Sequence, residues 1–199
     1  MVGAFFKEER YMNLKEETIR KVYVFRGHIL NVRNDDVLLP NGKVASREIV
    51  EHNGGVCVLP VKENGDIIFV RQYRYAYEQE LLELPAGKLE KGEDSFKAGV
   101  RELREETGNV AENYYDLGED FPSPGYCNEI IHMYAATGLK DVGQKLDEDE
   151  FLNLETYSLA EALDMVLDGT IRDSKTAMAL MKYAALLKNG KLEDKRISL

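Results

Sequence analysis

Short runs of strand-forming residues, separated by turn residues, follow one another in the N-terminal part of the chain up to residue 50. The runs mix β-branched, aromatic and polar residues and lie at 22–25, 29–32, 37–39 and 46–50. The Asn41-Gly42 pair before the last run is a hairpin signal, since both residues tolerate the backbone of a tight turn. The pattern predicts a small antiparallel sheet of three short strands. Such a sheet has a marginal core, so we expect it to pack against something else, such as another subunit.

From residue 51 onward the apolar runs are longer and alternate with polar segments. The runs "GGVCVLPV" and "GDIIFVRQYR" predict two strands joined by a turn at Asn64 and Gly65. Further strands are predicted for "YYDLGEDF", "EIIHMYAATGL" and "FLNLETYS". The last segment, 191–199, is predicted to be a frayed tail.

Three segments combine helical periodicity with recognisable caps. The predicted boundaries are Asp94 to Gly108, Ser158 to Gly169, and Asp173 or Ser174 to Gly190. The predicted elements therefore follow the order strands, helix, strands, helix, helix. Short turns, and not helical crossovers, join the paired strands. This order predicts an α+β fold with a mixed sandwich, and argues against a doubly wound parallel sheet.

The amino-acid composition limits the classes of partner that we expect the chain to bind. The 199-residue chain carries 26 basic and 36 acidic side chains, for a net charge of -10. Nucleic acid and anionic membranes attract basic surfaces, so we expect neither as a partner. No apolar window reaches the length of a membrane span. The two cysteines form no CxxC pair, which favours a reducing, cytoplasmic setting over a disulfide scaffold or a zinc site.

The first helix has an unusual distribution of charge. At about 100° per residue, one side carries an apolar stripe formed by Phe96, Val100, Leu103 and Thr107. Glu102, Glu105 and Glu106 crowd onto the other side, although like charges at i,i+4 spacing destabilise a helix by about 0.2–0.5 kcal/mol per pair. The simplest interpretation is a solvated helix face. The preceding loop "LPAGKLEKGE" favours another, because clustered carboxylates beside exposed main-chain carbonyls suit Mg²⁺ or Mn²⁺ bound with substrate phosphate.

The spacing of these residues resembles the signature of the Nudix family. The signature joins a glycine, a glutamate and the run Arg-Glu-aliphatic-x-Glu-Glu-x-Gly-aliphatic at fixed intervals. Its positions in this chain are Gly87, Glu93, Arg101, Glu102, Leu103, Glu105, Glu106 and Gly108. Asn109 replaces the final aliphatic residue, and Val110 can take over its packing role. The departure concerns the exit from the helix and leaves every acid in place.

The resemblance extends over roughly residues 20–185 and looks most similar to the ADP-ribose and nucleotide-sugar branch of the family. The segments that carry it are "RQYRY", "ELLELPAGKLEKGE", "SPGYCNE" and "LDEDEF". Pro124 lies 15 residues past Asn109, a spacing typical of the ADP-ribose branch. The resemblance implies a Nudix-type α/β/α sandwich with a mixed sheet at 51–199. It also implies an N-terminal β subdomain at 1–50 that serves dimerisation.

The implied activity is Mg²⁺-dependent hydrolysis of ADP-ribose to AMP and ribose 5-phosphate by a cytoplasmic homodimer. Two alternatives stay open. One is another nucleotide-sugar diphosphatase, acting on GDP-mannose or a UDP-sugar. The other is a Nudix protein that senses ADP-ribose without cleaving it, although such proteins usually carry an eroded signature, and here every acid of the signature is present.

The resemblance also implies roles for individual residues. The implied metal ligands are the carbonyl of Ala86 and the side chains of Glu102, Glu105 and Glu106. The implied catalytic set is Glu150, Glu105 and Arg101, with Glu150 as the general base and Glu148 as the alternative in the same acidic loop. Arg101 is also expected to form an ion pair with Glu93 that holds the loop on the helix.

Substrate contacts are implied outside the signature. Arg74 and Arg47 are candidates for the diphosphate or the terminal ribose, because guanidinium groups match phosphate oxygens. Phe25, with Tyr23 beside it, is a candidate for stacking on adenine, and Pro124 is a further substrate-binding candidate. Aromatic residues in strands also commonly belong to the core, so the aromatic assignment has an equally simple alternative.

Overall fold

A computed structural model describes residues 11–146 and 150–198. The chain divides between Glu51 and His52 into two compact units. The strands are β1 Glu17–Arg26, β2 Leu30–Leu38, β3 Val44–His52, β4 Gly55–Pro60, β5 Asp66–Arg74, β6 Gln79–Glu83, β7 Ala86–Lys88, β8 Asn109–Asp120, β9 Ile131–Asp141 and β10 Leu152–Ser158. The helices are α1 Ser95–Thr107, α2 Leu159–Leu167 and α3 Ser174–Lys188. The predicted α+β class is confirmed.

The N-terminal unit contains a three-stranded sheet in the order β1-β2-β3, with β1 antiparallel to β2. The predicted turn is present, with Gly42 at φ 79°. The runs at 29–32 and 37–39 form one strand, not two. Every residue of β1 is exposed, and the buried side chains of this unit include Val37 and Asp35. The core of this unit is therefore small, as we expect for a sheet of three short strands.

The second unit is built on a mixed four-stranded sheet in the order β7-β4-β9-β8. Strand β4 pairs parallel with β9 and antiparallel with β7. All six residues of β4 are buried, which explains its continuous apolar sequence, since a central strand covered on both faces needs no polar alternation. Strands β10-β5-β6 form a separate antiparallel sheet. The turn at Asn64 and Gly65 thus leads from one sheet to the other.

Alternate residues of β4 face two different apolar layers, as the pleat requires. Val58 packs in a cluster with Leu103 of α1. Cys57 packs on the opposite side in a larger cluster with Phe69 of β5 and Leu180 of α3. Helices therefore cover the mixed sheet from both sides. Within the described ranges, no helix combines the length and apolarity that a membrane crossing requires.

The three helices begin where their caps predict. Asp94 accepts a hydrogen bond from the backbone N–H of Lys97 at the start of α1. Gly108 ends α1 with a left-handed φ of 71°. Ser158 and Glu161 form a capping box at the start of α2. Local side-chain chemistry therefore fixes the ends of α1, the helix that carries the acidic signature.

The frayed C-terminal tail predicted for 191–199 is wrong over 191–198. The backbone N–H of Ile197 donates to the Tyr114 carbonyl at 2.9 Å, and the Ile197 side chain packs on the cluster that contains Leu103. The Tyr115 hydroxyl donates to Glu193 at 3.0 Å. Pairing with β8 and the partial burial of Ile197 and Leu192 hold this segment, and neither effect is visible in its own polar sequence.

Candidate active site

The short strand β7 lies directly on the acidic face of α1. A Cβ at Gly87 would lie 1.8 Å from the Glu102 Oε1 atom, so only glycine lets the carboxylate approach the strand so closely. The Ala86 N–H donates to the Glu106 Oε2 atom at 2.9 Å. Two of the signature glutamates therefore meet the backbone of the signature loop.

The solvated-face interpretation of α1 is wrong for two of its three clustered acids. Glu102 is only 6% exposed and Glu106 only 3%, whereas the Glu105 side chain is 31% exposed. On a helical wheel the three glutamates lie opposite the apolar stripe. In the folded chain, however, β7 covers Glu102 and Glu106. This burial depends on a long-range contact that periodicity within the helix cannot show.

Burial perturbs both covered carboxyl groups. The pKa of Glu106 is raised to about 8, first by burial and then by the charges of Glu102 and Glu150, against the opposing effects of the Ala86 N–H and Arg74. Burial also raises the pKa of Glu102, against the opposing charge of Arg101. A pair of buried, mutually repelling carboxyl groups is the kind of perturbed cluster that marks functional sites.

Arg101 connects the loop to two of the acids on α1. Its Nε atom donates to Glu93 at 3.1 Å, so the expected ion pair is present. Its Nη1 atom donates to Glu102 at 2.8 Å and to Glu105 at 2.9 Å. Glu93 in turn accepts from the Glu90 N–H at 3.0 Å. One guanidinium therefore fixes the orientation of two acids on α1 and anchors the preceding loop.

The segment before Glu150 docks on the C-terminal end of α1. The Val142 N–H donates to the Gly108 carbonyl at 2.7 Å, and the Lys145 N–H donates to the Glu105 carbonyl at 3.1 Å. The side-chain amide of Gln144 donates to the Glu106 carbonyl. Glu150 is close enough that its charge raises the pKa of Glu106. Glu148 lies outside the described residues.

A second cluster of charges beside the site was not found by sequence reasoning. Arg74 donates from Nε and Nη2 to the two oxygens of Glu83, at 2.7 and 2.6 Å. The Lys175 Nζ atom lies 2.5 Å from Glu83 Oε2 and 2.9 Å from Asp173 Oδ1. Glu83 is 1% exposed. A glutamate inside the apolar run "LLELP", and a lysine four positions before the buried Ala179 on α3, are the signals that could have indicated this cluster.

Each of the remaining candidates either is paired with another side chain or is exposed. Arg47 pairs with Glu16 through both oxygens of that carboxylate, at 2.9 and 2.6 Å. Phe25 is 55% exposed on β1, so it is not a core residue. Tyr23 lies under the Arg26 guanidinium, 3.7 Å from the ring centroid. Pro124 is exposed in the loop between β8 and β9.

Comparison with known proteins decides the family. A family model described as the NUDIX domain matches residues 51–180, which is more than half of the chain. The chain belongs to the Nudix family. A second family model, described as the nucleoside diphosphate sugar hydrolase N-terminal domain, matches residues 16–50. The resemblance seen in the signature is confirmed.

Several curated relatives cover most of this Nudix chain. An ADP-ribose pyrophosphatase of Bacillus subtilis (strain 168) is 43% identical over 170 residues, which is 84% of this chain and 92% of the relative. A methanol dehydrogenase activator of Bacillus methanolicus is 45% identical over 168 residues, 83% of this chain and 91% of the relative. A GDP-mannose pyrophosphatase of Yersinia enterocolitica is 32% identical over 189 residues, 88% of this chain and 97% of the relative.

A solved structure, described as an ADP compounds hydrolase, shares the Nudix fold. It aligns with a TM-score of 0.78, covering 89% of this chain and 97% of that chain at 24% sequence identity. The predicted sandwich is confirmed by this match.

The donor set on the Nudix helix fits a divalent cation. Positive charge beside Glu102 and Glu106 would stabilise the ionised forms that burial disfavours. Carboxylate and main-chain oxygens are the ligands that Mg²⁺ takes in proteins. In the described part of the chain, no three Asp, Glu, His or Cys side chains form a complete metal-binding group. A cation here would therefore also need main-chain or substrate oxygens.

The buried Glu106 makes the stability of the metal-free protein depend on pH. Its pKa is about 8 in the folded state and about 4.3 in an unfolded chain. Between these values the folded state holds more protons, so the free energy of unfolding falls as pH rises, by up to about 1.4 kcal/mol per pH unit. Urea unfolding in EDTA between pH 5 and 8 should show this decline, and Glu106→Gln should remove much of it. An equal slope in both proteins would contradict the assignment.

Proposed function

We propose that this Nudix protein hydrolyses the pyrophosphate of ADP-ribose to AMP and ribose 5-phosphate, with Mg²⁺ or Mn²⁺ as cofactor. The observation that carries the proposal is the pair of buried carboxylates, Glu102 and Glu106, held against a glycine loop within a signature that keeps all of its acids. Burial of like charges is unfavourable in a purely structural helix, whereas it suits a site for a cation and a diphosphate. The ADP-ribose pyrophosphatase of Bacillus subtilis supports this choice of substrate.

The proposed metal ligands are the Ala86 carbonyl and the side chains of Glu102, Glu105 and Glu106. Glu105 is the most exposed of the three acids and binds directly or through water. A bound divalent cation would polarise the phosphoryl oxygens and neutralise charge on the pyrophosphate. Arg101 keeps Glu102 and Glu105 in position, as ligand partners generally do.

Gly87→Ala should disrupt the site, because the new methyl group would overlap the Glu102 carboxylate. We expect a loss of about 1–3 kcal/mol in the free energy of unfolding, as in other overpacked sites. We also expect weaker Mg²⁺ binding, because Glu102 must turn away from the loop. The measurements are urea unfolding and calorimetric titration with Mg²⁺.

Gly125→Ala is the stability control for this variant, since a Cβ at Gly125 meets no atom within 4 Å. Its free energy of unfolding should stay within about 0.5 kcal/mol of the wild type. Wild-type stability and Mg²⁺ affinity in Gly87→Ala would show that the close approach of loop and helix is unimportant.

Glu150 is the proposed general base, which takes a proton from the attacking water. Its charge acts on both Glu102 and Glu106, so it belongs to the same electrostatic cluster. A positioned base contributes typically about 10²- to 10⁴-fold to a rate. Glu148 is the alternative base in the same loop.

Arginine and aromatic side chains are proposed to hold the substrate. The charge of Arg74 lowers the pKa of Glu106 against the effect of burial, so Arg74 lies near the carboxylate cluster. We assign Arg74 to the diphosphate and Arg47 to the diphosphate or terminal ribose. Phe25 is proposed to stack on adenine, and Pro124 to line the substrate site from the loop after β8.

The N-terminal unit is proposed to mediate a homodimer. Strand β1 exposes all of its residues, including Val22, Val24 and Phe25. A second copy of the chain would cover this apolar surface. Both cysteines are unpaired, in keeping with a reducing cytoplasm, which we propose as the compartment.

A second candidate substrate is GDP-mannose. The GDP-mannose pyrophosphatase of Yersinia enterocolitica aligns along 97% of its own length. The carboxylates and Arg74 are proposed to act on the pyrophosphate, which both nucleotides contain, so this part of the site fits either substrate.

The test is a substrate panel with Mg²⁺: ADP-ribose, GDP-mannose, UDP-glucose and NADH, compared by kcat/KM. We expect ADP-ribose to have the highest value. Preference for GDP-mannose would replace the ADP-ribose assignment. No turnover of any compound, together with binding of ADP-ribose, would instead favour a sensing protein.

A further inference from the structure

Lys175 is buried at an unfavourable position of its own helix. It lies in the first turn of α3, where the positive end of the helix dipole disfavours a cation. Its side chain is 11% exposed, and burying a lysine costs both desolvation and side-chain entropy. The partners of its ammonium group are Glu83 and Asp173. The ion pair with Glu83 therefore offers a reason for the position of Lys175.

Glu83 depends on cations to stay ionised. Burial alone would raise its pKa, but Arg74 and Lys175 outweigh burial and hold the pKa below its ordinary value. An ionised carboxylate offers both oxygens as acceptors, whereas a protonated one would lose part of that capacity. Lys175 thus helps Glu83 to accept two hydrogen bonds from Arg74.

The two bonds from Glu83 fix the plane of the Arg74 guanidinium. They use Nε and Nη2, one edge of the group. The donors on the Nη1 side form a second edge with the fork geometry that phosphate oxygens match. Arg74 is also near enough for its charge to act on Glu106, so its guanidinium lies close to the region where the pyrophosphate is proposed to bind.

We propose that Lys175 is a positioning residue for substrate binding: by fixing Glu83, it holds the Arg74 guanidinium ready to receive the pyrophosphate. The inference rests on the proposed function, in which Arg74 contacts the substrate. The alternative is that Lys175 only ties α3 to β6. A mere tie would affect stability but would not act through Arg74.

The experiment is a double-mutant cycle on substrate binding. The proteins are the wild type, Lys175→Met, Arg74→Ala and the double variant, with Lys188→Met as an exposed-lysine control in the last turn of α3. ADP-ribose is titrated calorimetrically in EDTA to measure Kd without turnover. KM and kcat are measured with Mg²⁺, and urea unfolding reports stability separately.

We expect Lys175→Met to raise Kd and KM by about 10-fold, the size of one charge-assisted hydrogen bond, with a smaller change in kcat. In the Arg74→Ala background the same change should alter Kd less than about twofold, because the guanidinium it positions is gone. Lys188→Met should match the wild type. An unchanged Kd in Lys175→Met, or an equal effect with and without Arg74, would overturn the inference.

Glu83→Gln provides the test if Lys175→Met does not fold. Glutamine keeps the volume of the side chain but removes the charge that the two cations share. Its effect on Kd should likewise disappear in the Arg74→Ala background, and persistence of the effect would overturn the inference. A wild type that neither binds nor hydrolyses ADP-ribose would instead overturn the proposed function, and the inference with it.

Discussion

Replacing Glu106 by glutamine is expected to lower kcat for ADP-ribose by about 10³-fold while leaving the fold intact. Several kcal/mol of charge stabilisation from a bound cation correspond to a loss of this size. The glutamine oxygen can still accept the hydrogen bond from the Ala86 N–H that Glu106 accepts now. The change therefore removes a charge without removing the contact between α1 and β7. The measurements are kcat at saturating Mg²⁺ and circular dichroism.

Glu112→Gln is the matched control for this variant. Glu112 is an exposed glutamate that pairs with Lys140 at 2.6 Å, so its kcat should stay within twofold of the wild type. If Glu106→Gln kept more than about a tenth of the wild-type kcat, the proposed metal site would be wrong.

Replacing Glu150 by glutamine is expected to lower kcat/KM by about 10²- to 10⁴-fold, the typical contribution of a general base. The acidic limb of the pH profile of kcat/KM should change shape, because that limb reports ionisation of the base in the free enzyme. Metal binding should be affected far less than in Glu106→Gln. The measurement is a pH profile of both proteins with Mg²⁺ at saturation.

Glu148→Gln separates the two acids of the loop. We expect it to keep most of its activity, with a pH profile like that of the wild type. A large loss in Glu148→Gln together with an active Glu150→Gln would assign the base to Glu148. Full activity in both variants would exclude this loop as the source of the base.

Features set by local chemistry were predictable from the sequence. Asp94 and Gly108 mark the ends of α1 because a cap acceptor and a left-handed residue act within one turn of the chain. The Asn41-Gly42 turn is local in the same way. The family signature is also contiguous, so the loop and the helix that carry it could be located before their geometry was known.

Features set by distant contacts were not predictable from the local pattern. Glu102 and Glu106 are buried because β7 packs on α1. Residues 191–198 are ordered because Ile197 pairs with β8. Lys175 and Glu83 lie 92 positions apart, so neither explains the other until the chain folds. In each case tertiary packing overrides what the polar character of the residue suggests by itself.

We expect the buried carboxylate cluster to serve Mg²⁺-dependent cleavage of a pyrophosphate bond. The most direct test is to incubate the full chain with ADP-ribose and Mg²⁺ and to separate the products by anion-exchange chromatography, with EDTA as the parallel condition. We expect equal amounts of AMP and ribose 5-phosphate with Mg²⁺ and neither with EDTA. Intact ADP-ribose in the presence of Mg²⁺, or equal product formation in EDTA, would contradict the claim.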